Sequence, residues 1–370
     1  MAKNGVPGNR PVNLALQGGG SHGAFTWGVL DRLLEDGRIS FDAVSGTSAG
    51  AMNAVALADG WVRGGAEGAR ERLAAFWRAV GRKGRFSPLQ RTPWDVALGN
   101  WSVANNPVYL WFDFVSRAIS PAMANPLNLN PLREAVEAEI DFANVRACDA
   151  MQLFISATSV QTGQLRVFTD GEIDIDAVMA SACLPTIFQP VRIGHEDFWD
   201  GGYGGNPALF PFFYANQVED VLLVQINPVR RDATPVTARE IQNRMEEITF
   251  NASLLREFRA IAFVKKLIEN GNVSRNDYRD IRMHRIDADE ALADLSAESK
   301  VSAEWAFLEY LRDLGRAAAE DWLESGFDNV GLRSGIDLSG ELDPAMAPGV
   351  RRSLGRKVRD FMSGHRRPRP

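Results

Sequence analysis

Residues 46–50 of the chain read GTSAG, a G-x-S-x-G pattern with Ser48 at its centre. The preceding run FDAVS (residues 41–45) reads as a short strand, and the following run AMNAVALA (residues 51–58) is rich in strong helix formers. A strand, a sharp turn and a helix would expose the Ser48 hydroxyl at the tip of a strained elbow, above a helix N-terminus that favours developing negative charge. This stretch therefore predicts an α/β fold that carries a nucleophilic serine.

A second glycine cluster, GGG at residues 18–20, follows the strand-like run VNLALQ (residues 12–17) and precedes a helix-forming run. Three successive glycines bare three backbone N–H groups at a helix start, which suits either a phosphate or the oxyanion of an acyl-transfer intermediate. The cluster also matches the G-x-G-x-x-G dinucleotide fingerprint, with Asp42 as its acidic residue. We disfavour dinucleotide binding, because Asp42 opens a predicted strand, whereas the fingerprint needs an acid that closes one.

A nucleophilic serine needs a general base, and the chain has four histidines, His22, His195, His284 and His365. His284 and His365 have the chain order of an α/β-hydrolase histidine, but neither has a supporting local motif. Asp200 is the better candidate, since FWDGG at residues 198–202 places one carboxylate after an apolar pair and before a glycine-dense turn. The glycines allow close backbone approach, and an apolar pocket would raise the pKa of this carboxyl above its usual value of ~3.9. An ordinary Asp-Gly turn is the alternative.

Together these three blocks resemble those of the patatin-like phospholipases. Two further segments agree with the resemblance. The run SACLPTIFQP (residues 181–190) resembles the family's small-residue helix that ends in a Pro-x-x-Phe-x-Pro turn, and Asn206-Pro207 resembles the Asn-Pro that follows its aspartate. The resemblance covers about residues 12–230. It implies a three-layer α/β/α fold with a mostly parallel central sheet.

The resemblance also implies a Ser-Asp dyad without a catalytic histidine. In this chain Ser48 would be the nucleophile and Asp200 the general base. The oxyanion hole maps to the glycine loop Gly18, Gly19 and Gly20, with the N–H groups of the last two as donors. The implied mechanism is a two-step acyl transfer through an acyl-enzyme.

Two neighbouring residues are expected to contact the substrate. His22 stands where the family often has an arginine, so it would replace that charge only when protonated, with a titration near pH ~6.5. Ala49 follows the nucleophile directly. No cluster of His, Cys and carboxylate residues has metal-ligand spacing, so we expect neither a metal nor a cofactor.

The expected function is that of a serine acyl hydrolase that cleaves lipid carboxyl esters, of the phospholipase A or lysophospholipase type. Within enzymes, the alternative is hydrolysis of neutral or short-chain esters, including hydroxyacid oligomers. Outside enzymes, the alternative is a non-hydrolytic lipid-binding module on the same fold.

The composition of the chain limits the classes of partner and of cellular location that we expect. The 370-residue chain is 45% hydrophobic, which is enough for a sizeable core, and its net charge of −6 does not favour nucleic acid as a partner. No early segment has the plan of a signal peptide, and no apolar run approaches the ~18 residues of a membrane-spanning helix. Two cysteines, Cys148 and Cys183, suit a reducing compartment. We therefore expect a cytoplasmic protein.

The chain divides into three predicted parts, and the first contains an insertion. Residues 12–230 form the catalytic domain, and the aromatic, proline-rich residues 84–130 form a cap-like insertion or an ordinary aromatic core. Residues 231–350 keep helical spacing and predict a helical extension docked on that domain, which could also make a homodimer contact. Residues 351–370 hold eight Lys/Arg and one acid, which predicts either a peripheral contact with an anionic membrane or a solvated tail.

Regular elements are predicted across the catalytic domain from hydrophobic periodicity. The predicted strands lie near 12–17, 41–45, 152–159, 165–169, 191–194 and 221–226, and the predicted helices near 22–36, 49–58, 66–80, 131–139 and 174–182. Their alternation favours a mostly parallel sheet that is covered on both faces.

Overall fold

The computed structural model describes residues 9–85, 87, 90–98, 100–111, 119–231, 234–275, 277–288, 291, 292, 295 and 297–342. Within these residues, eight strands form a single mixed sheet. The strands are β1 Arg10–Leu16, β2 Ile39–Thr47, β3 Gln152–Ser159, β4 Leu165–Thr169, β5 Val191–Ile193, β6 Glu196–Asp200, β7 Asp220–Val224 and β8 Arg282–Ile286.

The order of the strands is β5-β6-β3-β2-β1-β7-β8, and β4 pairs with β3 beside this path. Strands β3, β2, β1, β7 and β8 are parallel to one another. Strands β4 and β6 are antiparallel to β3, and β5 is antiparallel to β6. The glycine loop and Ser48 directly follow β1 and β2, at the carboxyl edge where open α/β sheets place their sites.

The helices connect and cover these strands. They are α1 Gly23–Asp36, α2 Ala49–Gly84, α3 Pro93–Ala97, α4 Pro121–Ala124, α5 Pro131–Glu139, α6 Phe142–Ala147, α7 Ile175–Ser181, α8 Phe212–Ala215, α9 Ala238–Glu269, α10 Trp305–Ser325 and α11 Leu338–Leu342. Helix α2 contains a kink, because Gly64 and Gly65 leave helical backbone angles. Short 3-10 turns occur at Gly20–His22, Asp170–Glu172, Gly201–Tyr203, Ala297–Val301 and Phe327–Asn329.

Helices lie on both faces of the sheet. On one face, α1, α2, α7 and α10 bury the larger apolar cluster, which includes Phe25, Phe76 and Phe307. On the other face, α9 covers a smaller cluster with its buried Leu254 and Phe258. The fold is therefore a three-layer α/β/α arrangement around a mostly parallel sheet, as predicted.

Helix α10 packs directly on α1 at two glycines. A Cβ added to Gly28 would lie 1.9 Å from the Arg312 carbonyl oxygen, and one added to Gly315 would lie 2.0 Å from the Phe25 carbonyl oxygen. Only residues without a side chain let the two backbones approach this closely. The contact joins the C-terminal part of the chain to the layer that carries the nucleophile.

The predicted helical extension after residue 230 contains the helices α9, α10 and α11, and it also contains one strand. Strand β8 pairs in parallel with β7, and α9 covers the smaller apolar cluster together with α8 and α11. A domain boundary at residue 230 stays a prediction, and residues 351–370 lie outside the described residues. Among the described helices, none combines the length and the apolar character needed to cross a bilayer.

Candidate active site

Ser48 occupies the sharp turn between β2 and α2. Its backbone angles are φ 54° and ψ −119°, a conformation that costs energy for any residue with a side chain. The Ser48 N–H donates to the Ser181 hydroxyl at 2.9 Å, and the side chain lines a cavity. The predicted elbow is therefore present, and it is strained.

The two flanking glycines of this motif are required by packing. A Cβ on Gly46 would lie 2.6 Å from the Gly50 carbonyl oxygen, and a Cβ on Gly50 would lie 2.2 Å from the Leu16 carbonyl oxygen. Both distances are far shorter than a carbon–oxygen contact allows. The G-x-S-x-G spacing thus reflects the close approach of the elbow to its own helix and to β1.

The register of the sheet brings Asp200 to the elbow. Strand β2 ends with Thr47 opposite Ser156 of β3, and β6 ends with Asp200 opposite Ala157, the next residue of β3. Because β4 occupies the other edge of β3, the ends of β2 and β6 meet on the same edge. A Cβ on Gly201 would lie only 2.1 Å from the Ser156 carbonyl oxygen.

Asp200 is completely buried. Its Oδ1 accepts the Gly202 N–H at 2.7 Å, whereas Oδ2 is buried and makes no hydrogen bond of good geometry. Burial raises the pKa of the Asp200 carboxyl to about 7, although the Gly202 N–H and the nearby Ser48 hydroxyl lower it in part. This carboxylate is therefore a stronger base than an exposed aspartate.

One short segment binds the backbones of both residues. The Ser181 hydroxyl accepts the Ser48 N–H, and the Cys183 carbonyl accepts the Asp200 N–H at 2.8 Å. Larger side chains are absent at residues 181–183, which read SAC. The segment recognised in the sequence as a small-residue helix end thus positions the pair.

The glycine loop is held by two asparagine side chains. The Gly18 N–H donates to Asn206 Oδ1 at 2.6 Å, and the Gly18 carbonyl accepts from Asn227 Nδ2 at 2.6 Å. Because its N–H is occupied, Gly18 can flank the predicted oxyanion hole but cannot donate to it, and the expected donors are the next two glycines. In the described part of the chain, no hydrogen bond occupies the N–H of Gly19 or Gly20, and both residues line the cavity.

Contrary to the expectation that it contacts the substrate, His22 is not among the residues that line the cavity. It is buried, and its Nε2 lies 2.7 Å from the Ser299 hydroxyl oxygen. Burial, followed by the nearby charges of Lys300 and Arg231, lowers the pKa of His22 to about 3. The hypothesis of a protonated, substrate-binding His22 is therefore corrected. Ala49 does line the cavity, and its N–H begins α2 without a helical partner.

The two other histidines in the described part of the chain do not line the cavity. His284 is buried with its Nε2 2.8 Å from Asp220 Oδ1, and it is not among the residues that line the cavity. His195 is exposed, and His365 lies outside the described residues. Among the described residues, no group of His, Cys, Asp and Glu is arranged to hold a metal ion.

The cavity has a volume of about 480 Å³, within the usual range of ligand sites. Its polar end contains Ser48, Asp200 and the glycine loop. The apolar walls are formed by Met52, Phe76, Trp77, Val80, Leu132, Leu184, Ile187, Phe188 and Phe250. Such walls suit an acyl chain, while the polar end suits an ester group.

Residues from outside the predicted catalytic domain also line the cavity. They are Gln242, Asn243, Glu246 and Phe250 of α9 and Glu298, Lys300 and Val301 near the 3-10 turn Ala297–Val301. Sequence reasoning missed Lys300 and Asn227, because neither carries a motif. Asn206 was noticed only as part of an Asn-Pro pair, without a role.

The predicted cap-like insertion contributes Tyr109 and Asn130 to the cavity. Trp101 instead packs on α10, with its ring centroid 5.1 Å from that of Phe307. Trp94 is 80% exposed. The region therefore combines an anchored part with exposed aromatic residues, and its function as a cap stays a prediction.

The family model described as patatin-like phospholipase matches residues 14–215, which is more than half of the chain. The match includes the glycine loop, the elbow and Asp200. It ends before α9 and the 3-10 turn that also line the cavity. No curated protein sequence matches the chain.

Three solved structures are similar to the chain at low identity. VipD from Legionella pneumophila is 16% identical with a TM-score of 0.37, covering 84% of this chain and 67% of its own. The type III effector ExoU is 15% identical with a TM-score of 0.26, covering 84% of this chain and 53% of its own. Full-length ExoU in complex with full-length SpcU from Pseudomonas aeruginosa is 15% identical with a TM-score of 0.26, and the match covers 96% of this chain and 63% of the other. TM-scores this low transfer no property of those proteins.

Proposed function

This chain belongs to the patatin-like phospholipase family, a family of lipid acyl hydrolases, and we propose that it cleaves lipid carboxyl esters as a phospholipase A or lysophospholipase. One observation carries the proposal. Ser48 on a strained elbow and Asp200, buried with a pKa of about 7, line the same largely apolar cavity. A serine, a poised base and an acyl-sized cavity are the parts that ester hydrolysis requires.

In the proposed first step, Asp200 accepts the Ser48 proton while Ser48 Oγ bonds to the ester carbonyl carbon. The negative charge that develops on the carbonyl oxygen is stabilised by the N–H groups of Gly19 and Gly20, with the Ala49 N–H at the start of α2 nearby. The carbon–oxygen bond to the alcohol then breaks, and Asp200 returns the proton to the leaving alcohol. An acyl-Ser48 intermediate remains.

In the proposed second step, water attacks the acyl-enzyme. Asp200 takes a proton from this water, and the same glycine-loop amides stabilise the second oxyanion. When the bond to Ser48 Oγ breaks, the proton returns to Ser48 and the fatty acid leaves. A base with a pKa near neutrality suits both proton transfers, because it must accept and release the proton in each cycle.

Labelling with a fluorophosphonate tests the dyad directly. We expect mass spectrometry to find the adduct on Ser48 in the wild type, no adduct in Ser48→Ala and strongly slowed labelling in Asp200→Asn. Ser21 also lines the cavity, so Ser21→Ala is the matched control, in which the adduct should remain on Ser48. An adduct on another residue, or unchanged labelling in Asp200→Asn, would contradict the dyad.

A panel of esters tests the substrate class. The apolar walls of the cavity predict that kcat/KM rises with acyl-chain length. Faster hydrolysis of short-chain esters or hydroxyacid oligomers would favour the alternative esterase. A protein that binds long-chain lipids but labels at no serine would be a non-hydrolytic lipid-binding module.

A further inference from the structure

Lys300 lies against the glycine loop, in the 3-10 turn Ala297–Val301. A Cβ on Gly20 would be 2.4 Å from the Lys300 carbonyl oxygen, so the two backbones are in direct contact. The neighbouring Ser299 hydroxyl makes the hydrogen bond to His22. This turn therefore packs along residues 20–22 and places the Lys300 side chain at the polar end of the cavity.

The Lys300 ammonium has few partners. It carries three N–H donors, and one of them donates to Asn227 Oδ1 at 2.9 Å. Among the described residues, no carboxylate forms an ion pair with it. Burial lowers the pKa of the Lys300 ammonium. The carboxylates of Glu247 and Glu246 in α9 raise this pKa, whereas the charge of Arg231 lowers it. The ammonium is thus removed from much of the solvent with most of its donors unused.

A series of contacts connects this ammonium to the residue of the proposed nucleophile. Asn227 accepts from Lys300 through Oδ1 and donates to the Gly18 carbonyl through Nδ2. A Cβ on Gly18 would lie 2.6 Å from Ser48 Cβ, so Gly18 touches the nucleophilic residue. One side chain therefore separates the cation from the loop beside Ser48.

We propose that Lys300 binds the phosphodiester of a glycerophospholipid and so selects this substrate over a neutral lipid ester. A half-buried cation with unused donors is stabilised by an anionic partner, and a phosphate oxygen accepts such charge-assisted hydrogen bonds well. In a glycerophospholipid, only the glycerol separates the phosphodiester from the ester that Ser48 would attack. The inference rests on the proposed ester hydrolysis, and it assigns a specificity residue outside the family-matched residues 14–215.

The test compares two lipids that carry the same acyl chains, a phosphatidylcholine and a diacylglycerol, in micelles of a neutral detergent. Lys300→Gln keeps an N–H donor for Asn227 but removes the charge, and Lys300→Arg keeps the charge. We expect the ratio of kcat/KM for the phospholipid to kcat/KM for the diacylglycerol to fall roughly 10- to 100-fold in Lys300→Gln. Lys300→Arg should restore most of this ratio.

Lys266 provides the matched control, because it is an exposed lysine near the end of α9. Lys266→Gln removes the same charge and should leave the ratio unchanged. Inorganic phosphate serves as a second probe of the same chemistry. One combined outcome would overturn substrate selection by Lys300. If phosphate inhibits the wild type but Lys300→Gln leaves the ratio of kcat/KM for the two lipids unchanged, the protein binds free anions without using Lys300 to select the lipid.

Two further outcomes would overturn the inference. An equal loss on both lipids in Lys300→Gln would mean that Lys300 acts on the loop or the oxyanion, and no loss on either would mean that it has no function in substrate selection. These results differ from failure of the proposed function. In that case the wild type would hydrolyse neither lipid, Ser48 would not react with the fluorophosphonate, and the inference would fail with it.

Discussion

At the scale of single residues, the protonation of Asp200 governs the proposed chemistry. Burial raises its pKa to about 7, while one of its oxygens, Oδ2, makes no hydrogen bond of good geometry. The carboxylate is therefore held in a state that is costly for the fold and useful for a base. Two predictions follow from this one property.

The first prediction concerns the pH dependence of ester hydrolysis. The base must be ionised to accept the Ser48 proton, so kcat/KM should rise with pH and reach a plateau above an apparent pKa of about 7. The measurement is a pH profile from about pH 5 to about pH 9. His22→Asn is the control, because a histidine with a pKa of about 3 does not titrate in this range. A rising limb that disappears in His22→Asn would contradict the assignment to Asp200.

The second prediction concerns the stability of Asp200→Asn. The pKa of Asp200 is higher in the folded protein than its ordinary value of 3.8, so the folded state binds the proton more tightly than the unfolded chain. Ionised Asp200 therefore destabilises the fold above pH ~7, and this penalty disappears as the pH falls towards ~4. We expect the free energy of unfolding of Asp200→Asn to exceed that of the wild type by on the order of 1–4 kcal/mol at pH ~8.

Urea unfolding at both pH values measures this difference. Near pH ~4 most of this difference should be lost, because the carboxyl is then protonated in the folded state and about half protonated in the unfolded chain. Asp197→Asn, on the same strand but less buried, is the control for the loss of a carboxylate from β6. A less stable Asp200→Asn at pH ~8 would contradict a raised pKa.

At the scale of elements, the crossing of α1 and α10 connects the C-terminal part of the chain to the active-site layer. Helix α1 begins directly after the glycine loop, and α10 begins four residues after Val301 of the cavity wall. Their backbones touch at Gly28 and Gly315. The crossing therefore helps to place the turn Ala297–Val301 on the loop.

The third prediction tests this crossing with Gly315→Ala. The new Cβ would lie 2.0 Å from the Phe25 carbonyl oxygen, so one helix must move. We expect a loss of about 1–3 kcal/mol in the free energy of unfolding, measured in urea. Gly171→Ala is the control, because a Cβ there meets no atom within 4 Å, and it should change stability by less than ~0.5 kcal/mol. Equal stability of the two variants would contradict the tight crossing.

At the scale of the whole molecule, exposed apolar side chains lie near the residues that line the cavity. In α9, Ile241, Met245 and Ile248 are exposed next to the cavity-lining Asn243 and Glu246. They recur with helical spacing, so they form one stripe. An exposed apolar stripe beside a lipid-sized cavity supports the proposal of peripheral contact with a lipid surface.

Helix α3 presents a second exposed apolar surface. Trp94 and Leu98 are each 80% exposed. Asp95 of the same helix accepts a hydrogen bond from Asn105 at 2.8 Å, which ties α3 to the segment that leads to the cavity-lining Tyr109. The α9 stripe and this surface both belong to elements connected with the cavity.

The fourth prediction tests membrane contact by vesicle flotation. Trp94→Ser combined with Leu98→Ser should weaken binding to neutral and anionic vesicles alike, because it removes apolar contact. Deletion of residues 351–370 should weaken binding only to anionic vesicles, and only at low salt, since each basic residue contributes about 1 kcal/mol at such a surface. Leu332→Ser is the control, because Leu332 is also an exposed apolar residue and follows the C-terminal end of α10.

The two parts of this prediction have separate outcomes. Equal flotation of the full chain and of the chain without residues 351–370 on anionic vesicles would leave the tail without a function in binding. Equal flotation of the Trp94 and Leu98 double variant and the Leu332 control would remove α3 from the contact surface.

Local sequence patterns predicted six of the eight described strands and the elbow, and they carry the proposed dyad. G-x-S-x-G predicted Ser48 because a strained turn needs glycines on both sides, and the measured approach of Gly46 and Gly50 to neighbouring backbone explains why. Asp200 was predicted from its apolar and glycine-rich surroundings. Each of these signals lies within a few residues of the group that it predicts, and backbone sterics act over that range.

Only the tertiary structure decided which groups surround the dyad. Asn206, 188 residues away, accepts the Gly18 N–H, and Ser299, 277 residues away, lies within hydrogen-bond distance of His22, whose pKa burial lowers to about 3. Lys300 reaches the cavity through a turn outside the family-matched residues. Burial and long-range hydrogen bonds set pKa values and donor availability, and they depend on which distant segments meet. A local pattern in the sequence does not predict which distant segments come into contact.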